Sequence, residues 1–232
     1  MPEPIISPAV LEKFPHYHGI VIYARGLENR ASDDFSSDLL RDAEEKTRAA
    51  FPDGKASEHP HIKAWREAFQ GFGVKPSKML NSSEALISRV LKGGALPRIN
   101  WLADAYNAIS VRHVLPIGGE DLDRAVGAQR LEVATGTENF DTMKDGAPTL
   151  EQPQAGEVVW MDDAGVTCRA WNWRQCVRTR LTEDTRNAYF VLDSLEPYTL
   201  EMLGAAADEL EGYLKRLSPG CALEKFAIGG DK

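Results

Sequence analysis

Residues 98–123, RINWLADAYNAISVRHVLPIGGEDLD, decide how the rest of this sequence is interpreted. Asn100 is a good helix N-cap, and apolar residues from Leu102 to Ile109 then recur at helical spacing. Residues 116–119, PIGG, predict a loop in which two glycines without side chains let a ligand approach the backbone. A helix carrying the polar Asn107 and ending in this loop predicts one wall of a pocket, with an ordinary helix and turn as the alternative.

The flanking segments alternate between strand and helix patterns. The β-branched run at residues 18–24 predicts a buried strand, and residues 32–51 predict an amphipathic helix. Asn81 predicts the cap of a further helix, with Glu84 reaching back to close a capping box. Two strands, at residues 157–161 and 166–173, predict a hairpin; another strand is predicted at 187–193 and a leucine-striped helix from 200.

This order of elements predicts an α+β fold, in which mixed sheets are backed by covering helices. No linker composition separates the first 55 residues from the rest. We therefore expect residues 1–232 to form a single domain, with residues 1–55 as a strand–helix extension packed on it.

Bulk properties restrict the possible functions. The 232 residues carry a formal net charge of −8, so any contact with nucleic acid requires a local basic patch. No apolar run approaches membrane-spanning length, and the N-terminal segment lacks the pattern of a secretory signal. The 3 cysteines are widely spaced, as expected of reduced thiols in a cytoplasmic protein.

Residues 168–186, CRAWNWRQCVRTRLTEDTR, concentrate arginine and tryptophan in an otherwise acidic chain. Arginine binds phosphate or carboxylate through paired hydrogen bonds, and tryptophan stacks on bases or on apolar side chains. If strand alternation continues to residue 173, Arg169 and the two tryptophans share one face. Asn172 and Arg174 then share the other face and are the better functional candidates, while the tryptophans are either core or ligand contacts.

Two histidine pairs, His16 with His18 and His59 with His61, raise the possibility of a metal-dependent hydrolase. No carboxylate or cysteine lies at a supporting spacing, so solvated loop histidines are favoured and neither metal nor cofactor is expected. Ser82 is interpreted as part of a helix cap, because no histidine lies nearby in sequence to activate it.

Several blocks in order resemble the freestanding B3/B4-domain proteins. The blocks are SSEAL-x-x-RVLKGG, AYNAIS, LPIGGEDLD, EVVWMDD and CRAWNWRQ, and the resemblance runs from about residue 61 to residue 213. The chain is also similar to the B3/B4 domain of the bacterial phenylalanyl-tRNA synthetase beta subunit, in which a pocket accepts a misattached amino acid on the tRNA 3′ end. This resemblance implies a three-layer β/β/α arrangement.

The resemblance also implies where this chain departs from the synthetase pocket. Asn107 matches the family's asparagine, whereas the synthetase histidine falls on Gly118. The glutamate that reads the tyrosine hydroxyl falls on or near Val191, with Asp193 two residues further along the same strand face. These departures imply a substrate other than a tyrosyl ester, or no substrate.

The first hypothesis is a trans-acting aminoacyl-tRNA deacylase that hydrolyses the aminoacyl ester. Catalytic candidates are the backbone amides of Gly118 and Gly119, which would polarise the carbonyl, and Asn107 and Asn172, which would orient water or the 2′-hydroxyl. A non-catalytic module that binds the tRNA acceptor end or a free amino acid is the alternative. Candidates to bind substrate are Glu120, Arg169, Trp171, Trp173, Arg174 and Asp193, and those to bind RNA are Arg178 and Arg180.

Overall fold

A computed structural model describes residues 3–230 of the chain, which form eleven strands and six α-helices. The strands are β1 (Ile5–Ile6), β2 (His18–Arg25), β3 (Ile117–Asp121), β4 (Arg130–Val133), β5 (Phe140–Lys144), β6 (Ala147–Glu151), β7 (Val158–Asp162), β8 (Gly165–Arg169), β9 (Arg174–Gln175), β10 (Asn187–Ser194) and β11 (Ala222–Gly229). The helices are α1 (Pro8–Lys13), α2 (Asp34–Ala50), α3 (Pro60–Gly71), α4 (Ser82–Leu91), α5 (Trp101–His113) and α6 (Leu200–Leu217).

The central layer is an antiparallel sheet with the strand order β11-β2-β10-β3. Its interior strands β2 and β10 are buried along most of their length, as their runs of β-branched and aromatic residues predict. The residues of β10 therefore divide between two hydrophobic cores, one on each face of the sheet.

Helices α5 and α6 cover one face of the central sheet. Phe190 and Leu192 of β10 pack there with the leucine stripe of α6, including Leu203 and Leu210. Helix α5 lies between this face and helices α2 and α4, so all of its residues from Trp101 to Val111 are buried. Burial thus extends beyond the apolar face predicted for α5 to the whole circumference of the helix, because other elements pack on every side.

The other face is covered by a second sheet with the order β1-β4-β7-β8-β9, in which only the β1–β4 pair is parallel. Tyr189 and Val191 of β10 pack there with Trp160 and Trp171, together with side chains from α1 and α3. Sheet, sheet and helices thus form the three-layer β/β/α arrangement, and the predicted α+β fold is confirmed.

The N-terminal residues are built into these layers. Strand β2 lies between β10 and β11 and pairs with both over its whole length, while α2 packs against α5. We infer that residues 3–55 belong to the same folding unit as the rest, since the central sheet is continuous only when β2 is present.

The predicted N-caps are confirmed at two helices. The side chain of Asn100 accepts a hydrogen bond from Ala103 N at 3.1 Å, and Asn81 accepts one from Glu84 N at 2.9 Å. The capping-box role predicted for Glu84 is wrong, because its carboxylate lies 2.6 Å from Arg66 Nη1 instead. No helix among residues 3–230 is both long and apolar enough to cross a membrane.

Two local predictions need correction. Gly118 and Gly119 lie in strand β3, not in a loop, because this segment pairs with β10 at the edge of the central sheet. The hairpin strand predicted to reach Trp173 ends at Arg169, since Ala170 and Trp171 adopt left-handed φ angles of 42° and 63°. The predicted alternation of side chains from Arg169 to Arg174 is therefore broken at this point.

We expect the two glycines of β3 to respond differently to alanine. A Cβ at Gly119 would lie 2.8 Å from the Phe190 ring, whereas one at Gly118 would meet nothing within 4 Å. Gly119→Ala should therefore lower the free energy of unfolding by about 1–3 kcal/mol. Gly118→Ala, the matched control, should change it by less than about 0.5 kcal/mol. Equal losses in denaturant unfolding of the two variants would contradict the placement of β3 between the layers.

Candidate functional site

A cavity of about 290 Å³ opens between the inner face of the β3–β10 pair, helices α4 and α5, and the segment that follows β8. Most of the predicted site residues line it, although they come from four separate parts of the chain. They are Asn107, Gly118, Glu120, Trp171, Asn172, Trp173, Arg174 and Asp193. The structure therefore brings the helix-to-diglycine segment and the tryptophan–arginine segment together around one hollow, which we call the site cavity.

One wall of the site cavity is formed by residues 170–172, called the 170–172 bend below. Trp171 is fully buried, and its ring packs edge-on against Phe14, Tyr17 and Trp65 at centroid distances of 4.9–5.2 Å. The left-handed backbone at Ala170 and Trp171 turns the next residue, Asn172, into the cavity instead of along a strand. Trp171 is thus a structural anchor whose edge also lines the site.

Asp193 lies at one end of the cavity and is only 3% exposed. Tyr17 Oη donates a hydrogen bond to its Oδ1 at 2.8 Å, and Asn172 Nδ2 lies 3.5 Å from its Oδ2. Burial raises the pKa of Asp193 to about 7, although these hydrogen bonds oppose the shift. An acid with this pKa is partly protonated near neutral pH, and a nearby cation would favour its ionised form.

Glu120 lies in the same cavity on strand β3 and is 4% exposed. Thr179 Oγ1 donates to its Oε2 at 2.7 Å. Burial raises the pKa of Glu120 to about 7, again against the effect of the hydrogen bonds it receives. The site cavity therefore contains two buried carboxyl groups with similar proton affinity.

Neither acid has a cationic partner among residues 3–230. Two arginines nearby are paired elsewhere: Arg169 Nη2 lies 2.8 Å from Glu157, and Arg178 Nη2 lies 2.8 Å from Asp162. In addition, the buried Oδ1 of Asn172 has no hydrogen-bond partner within the described part of the chain. Buried polar groups usually have partners, so these groups are suited to a ligand.

Four predicted site residues do not line the site cavity. Gly119 faces the helix layer, where it touches Phe190. Arg169 and Arg178 are ion-paired with the buried carboxylates of Glu157 and Asp162. Their guanidinium groups are therefore not free for the predicted contacts with substrate and RNA. Arg180 is exposed. The reason for the correction at Arg169 is its pairing with the buried Glu157, which occupies the guanidinium group.

The arginine at the cavity rim is Arg174. Its Nη2 donates to Met143 O at 3.2 Å, and its guanidinium carbon lies 5.9 Å from the centre of the Trp173 ring. Arg169 approaches the same ring at 5.7 Å. Both Arg174 and Trp173 are half-buried, which leaves them accessible to a ligand at the mouth.

The histidine pairs do not form a metal site. His61 is 1% exposed, and its Nε2 accepts hydrogen bonds from Trp65 Nε1 at 3.0 Å and Leu195 N at 3.2 Å. Its Nδ1 then donates to Val114 O, and burial lowers the pKa of His61 to about 4. Within residues 3–230, no group of three or more His, Cys, Asp or Glu side chains is arranged to hold a metal ion.

Tyr17 and Cys168 are site residues that the sequence analysis missed. Tyr17 directly precedes the predicted strand β2, and nothing in its local pattern indicates that it reaches Asp193 across the sheet. Cys168 lines the cavity, but burial raises its thiol pKa well above the ordinary value, so it is a poor nucleophile.

A family model described as the B3/4 domain matches residues 64–218, which is more than half of the chain. The chain belongs to the B3/4 domain family. The matched residues contain helices α4 to α6 and every strand that lines the site cavity, as the resemblance in sequence implies.

Comparison with solved structures gives matches that include an N-terminal fragment of the phenylalanyl-tRNA synthetase beta-subunit from Pyrococcus horikoshii. The sequence identity is 12% and the TM-score 0.47, with 98% of this chain and 57% of the fragment covered. The chain thus spans little more than half the length of that fragment. A comparison with curated proteins found no match.

The buried carboxyl group of Asp193 predicts a pH-dependent stability. Its pKa is raised from 3.8 to about 7, so the folded state binds more protons than the unfolded state between these values. The stabilising effect of the neutral acid is therefore complete below about pH 4 and is lost as the pH rises towards 7. Asp193→Asn should match the wild-type protein near pH 4 and become more stable than it near pH 8, by up to about 1.4 kcal/mol per pH unit crossed.

Denaturant unfolding measured across this pH range tests the expectation. Asp184→Asn, which changes an exposed aspartate, is the matched control and should give a constant difference from the wild-type protein. A pH-independent difference for Asp193→Asn would show that the carboxyl group is ionised in the folded state.

Proposed function

We propose that this chain hydrolyses the ester of mischarged aminoacyl-tRNA, acting in trans on the tRNA 3′ end. The observation that carries this proposal is the site cavity, in which Asn107, Asn172, Arg174 and two buried acids converge. Membership of the B3/4 domain family supports a tRNA-related function. The hydrolytic step itself is the part that requires an experiment.

The size and lining of the cavity suit an aminoacyl group. Its volume of about 290 Å³ lies at the lower end of the range for small-molecule sites. Most of its wall is aromatic or aliphatic, including Tyr106, Trp160 and Val191, with a few polar groups directed inward. Such a site buries a side chain and fixes the orientation of the ester through the polar groups.

Ester hydrolysis here relies on positioning, because an aminoacyl ester is already activated. Asn107 and Asn172 are the residues that would orient the attacking water or the terminal 2′-hydroxyl. Glu120 and Asp193 would hold ammonium groups of the substrate. None of the described residues that line the cavity is a histidine, and the raised pKa keeps the Cys168 thiol protonated, so water is the nucleophile in this scheme.

The strand geometry changes the role expected of the glycine amides. Asp193 N donates to Pro116 O, whereas Asp121 N donates outward to Thr179 O. Since alternate residues of a strand point their amides to opposite edges, the amide of Gly118 faces β10 and that of Gly119 faces outward. In our proposal the ester carbonyl is therefore polarised by side-chain amides in place of the glycine backbone amides, and Asn172 is the best placed of these.

Contact with the tRNA would involve Arg174 and Arg180. Arg174 lies at the cavity rim, where a guanidinium reaches the phosphate of the terminal nucleotide, and Arg180 is exposed. Because the whole chain is acidic, binding should depend on this small patch.

A second candidate is a non-catalytic module that binds the acceptor end or a free amino acid. The observation that favours it is that the cavity lining, as far as residues 3–230 form it, contains no nucleophile activated by a neighbouring base. Such a module would retain aminoacyl-tRNA without releasing the amino acid.

Incubation with a panel of aminoacyl-tRNAs, correctly and incorrectly charged, tests the proposal directly. We expect release of the amino acid above the spontaneous rate for at least one mischarged pair. Asn107→Ala should slow that release by at least about tenfold, through the loss of a hydrogen bond that positions the reacting groups.

Asn139→Ala is the matched control, since Asn139 is exposed and lies outside the cavity. It should leave the rate unchanged. If every ester were released only at the spontaneous rate, and salt-dependent binding were lost on Arg174→Ala, the result would contradict hydrolysis and support the non-catalytic binding module.

A further inference from the structure

The two buried acids lie at different positions along one face of the β3–β10 pair. Glu120 is opposite Tyr189, Gly118 is opposite Val191, and Asp193 follows two residues further along β10. Asp193 lies four residues along β10 from the position opposite Glu120, so a rise of about 3.4 Å per residue separates the two acids by roughly 14 Å along the strand direction. The acids therefore mark two ends of the site cavity and do not share one point.

The floor between the two acids is left open by Gly118. A Cβ at this position would meet no atom of residues 3–230 within 4 Å. Packing therefore does not require glycine here, and the missing side chain leaves open space. The φ angle of Gly118 is not left-handed, so the backbone conformation does not require glycine either. An open floor between two acids is consistent with an extended ligand lying across them.

Each acid is buried without a counter-charge among residues 3–230. Removal of an ionised carboxylate from water costs several kcal/mol when no cation compensates. The hydrogen bonds to these acids come from neutral donors, such as Thr179 for Glu120, and Tyr17 and Asn172 for Asp193. A cation supplied by the ligand would restore the missing charge at each end.

A second observation that points to a ligand is the Oδ1 atom of Asn172. Asn172 is 8% exposed and lines the cavity, and this oxygen has no hydrogen-bond partner among residues 3–230. An acceptor oxygen beside Asp193 suits an N–H donor with more than one hydrogen, such as an ammonium group. Trp160 and Trp173 add aromatic surface that stabilises a cation.

We infer that the site cavity selects an aminoacyl group with a positively charged side chain, of the lysine, ornithine or arginine class. One of the acids Glu120 and Asp193 binds the α-ammonium, and the other binds the side-chain cation, while the aliphatic stem crosses Gly118. This inference rests on the proposed function for the attachment to tRNA, but the recognition of the amino acid is independent of hydrolysis.

Isothermal titration with amino acid amides tests the selection without any ester chemistry. The probes are L-lysinamide, L-ornithinamide and L-norleucinamide, the last of which keeps the carbon chain of lysine but lacks its ammonium group. We expect lysinamide or ornithinamide to bind at least about tenfold more tightly than norleucinamide. Glu120→Gln and Asp193→Asn should each reduce this preference to less than about threefold.

Glu183→Gln, which changes an exposed glutamate, is the matched control and should keep the full preference. Circular dichroism of the variants shows whether they retain the fold. Norleucinamide or tyrosinamide binding as tightly as the cationic amides would overturn the inference, and so would the absence of binding by all of the amides.

The two proposals fail in different ways. A preference for lysinamide without hydrolysis of any aminoacyl-tRNA would overturn the proposed deacylase and keep the ligand class. Hydrolysis of a neutral aminoacyl-tRNA with no preference for lysinamide would keep the proposed deacylase and overturn the ligand class.

Discussion

The hydrogen bonds of one buried carboxylate, Glu157, hold the segment on which the site depends. Its oxygens accept from Arg169 Nε at 3.0 Å, from Arg169 Nη2 at 2.8 Å and from Ala170 N at 2.8 Å. These bonds end β8 and hold Ala170 and Trp171 in left-handed backbone, which costs roughly 1–2 kcal/mol per residue. Burial of the Trp171 ring among aromatic side chains offsets that cost, and the result is that Asn172 lines the cavity. The arginine that resembled a ligand-binding group is therefore a structural one.

The N-terminal residues contribute to the same environment although they precede the region matched by the family model. Phe14 and Tyr17 pack on Trp171, and the Tyr17 hydroxyl donates to Asp193. The segment thereby excludes water from the acid and fixes its orientation. Burial in the cavity disfavours the ionised form of a carboxyl group, which is why the pKa of both Glu120 and Asp193 is raised to about 7.

Local patterns in the sequence predicted those features that local physics determines. The cap at Asn100, the strand at residues 18–24 and the hairpin turn follow from side-chain chemistry within a few residues, and the structure confirms them. The strand at Gly118 was missed because glycine disfavours strands, and pairing with β10 overrides that preference. The 170–172 bend was missed because alternation was assumed to continue, whereas the Glu157 hydrogen bonds that break it come from the residue directly before strand β7. Tyr17 was beyond prediction, since its contact with Asp193 spans 176 residues of sequence.

The central claim is that the site cavity is the place where an aminoacyl group binds. A crystal structure with a non-hydrolysable 3′-aminoacylamino analogue of the terminal adenosine, carrying the amino acid that the protein prefers, tests it most directly. We expect the aminoacyl group in the cavity, with its α-ammonium within hydrogen-bonding distance of Glu120 or Asp193 and its amide carbonyl facing Asn172 or Asn107. Binding of the analogue at another surface, with the cavity filled by repacked side chains such as Trp173, would contradict the claim.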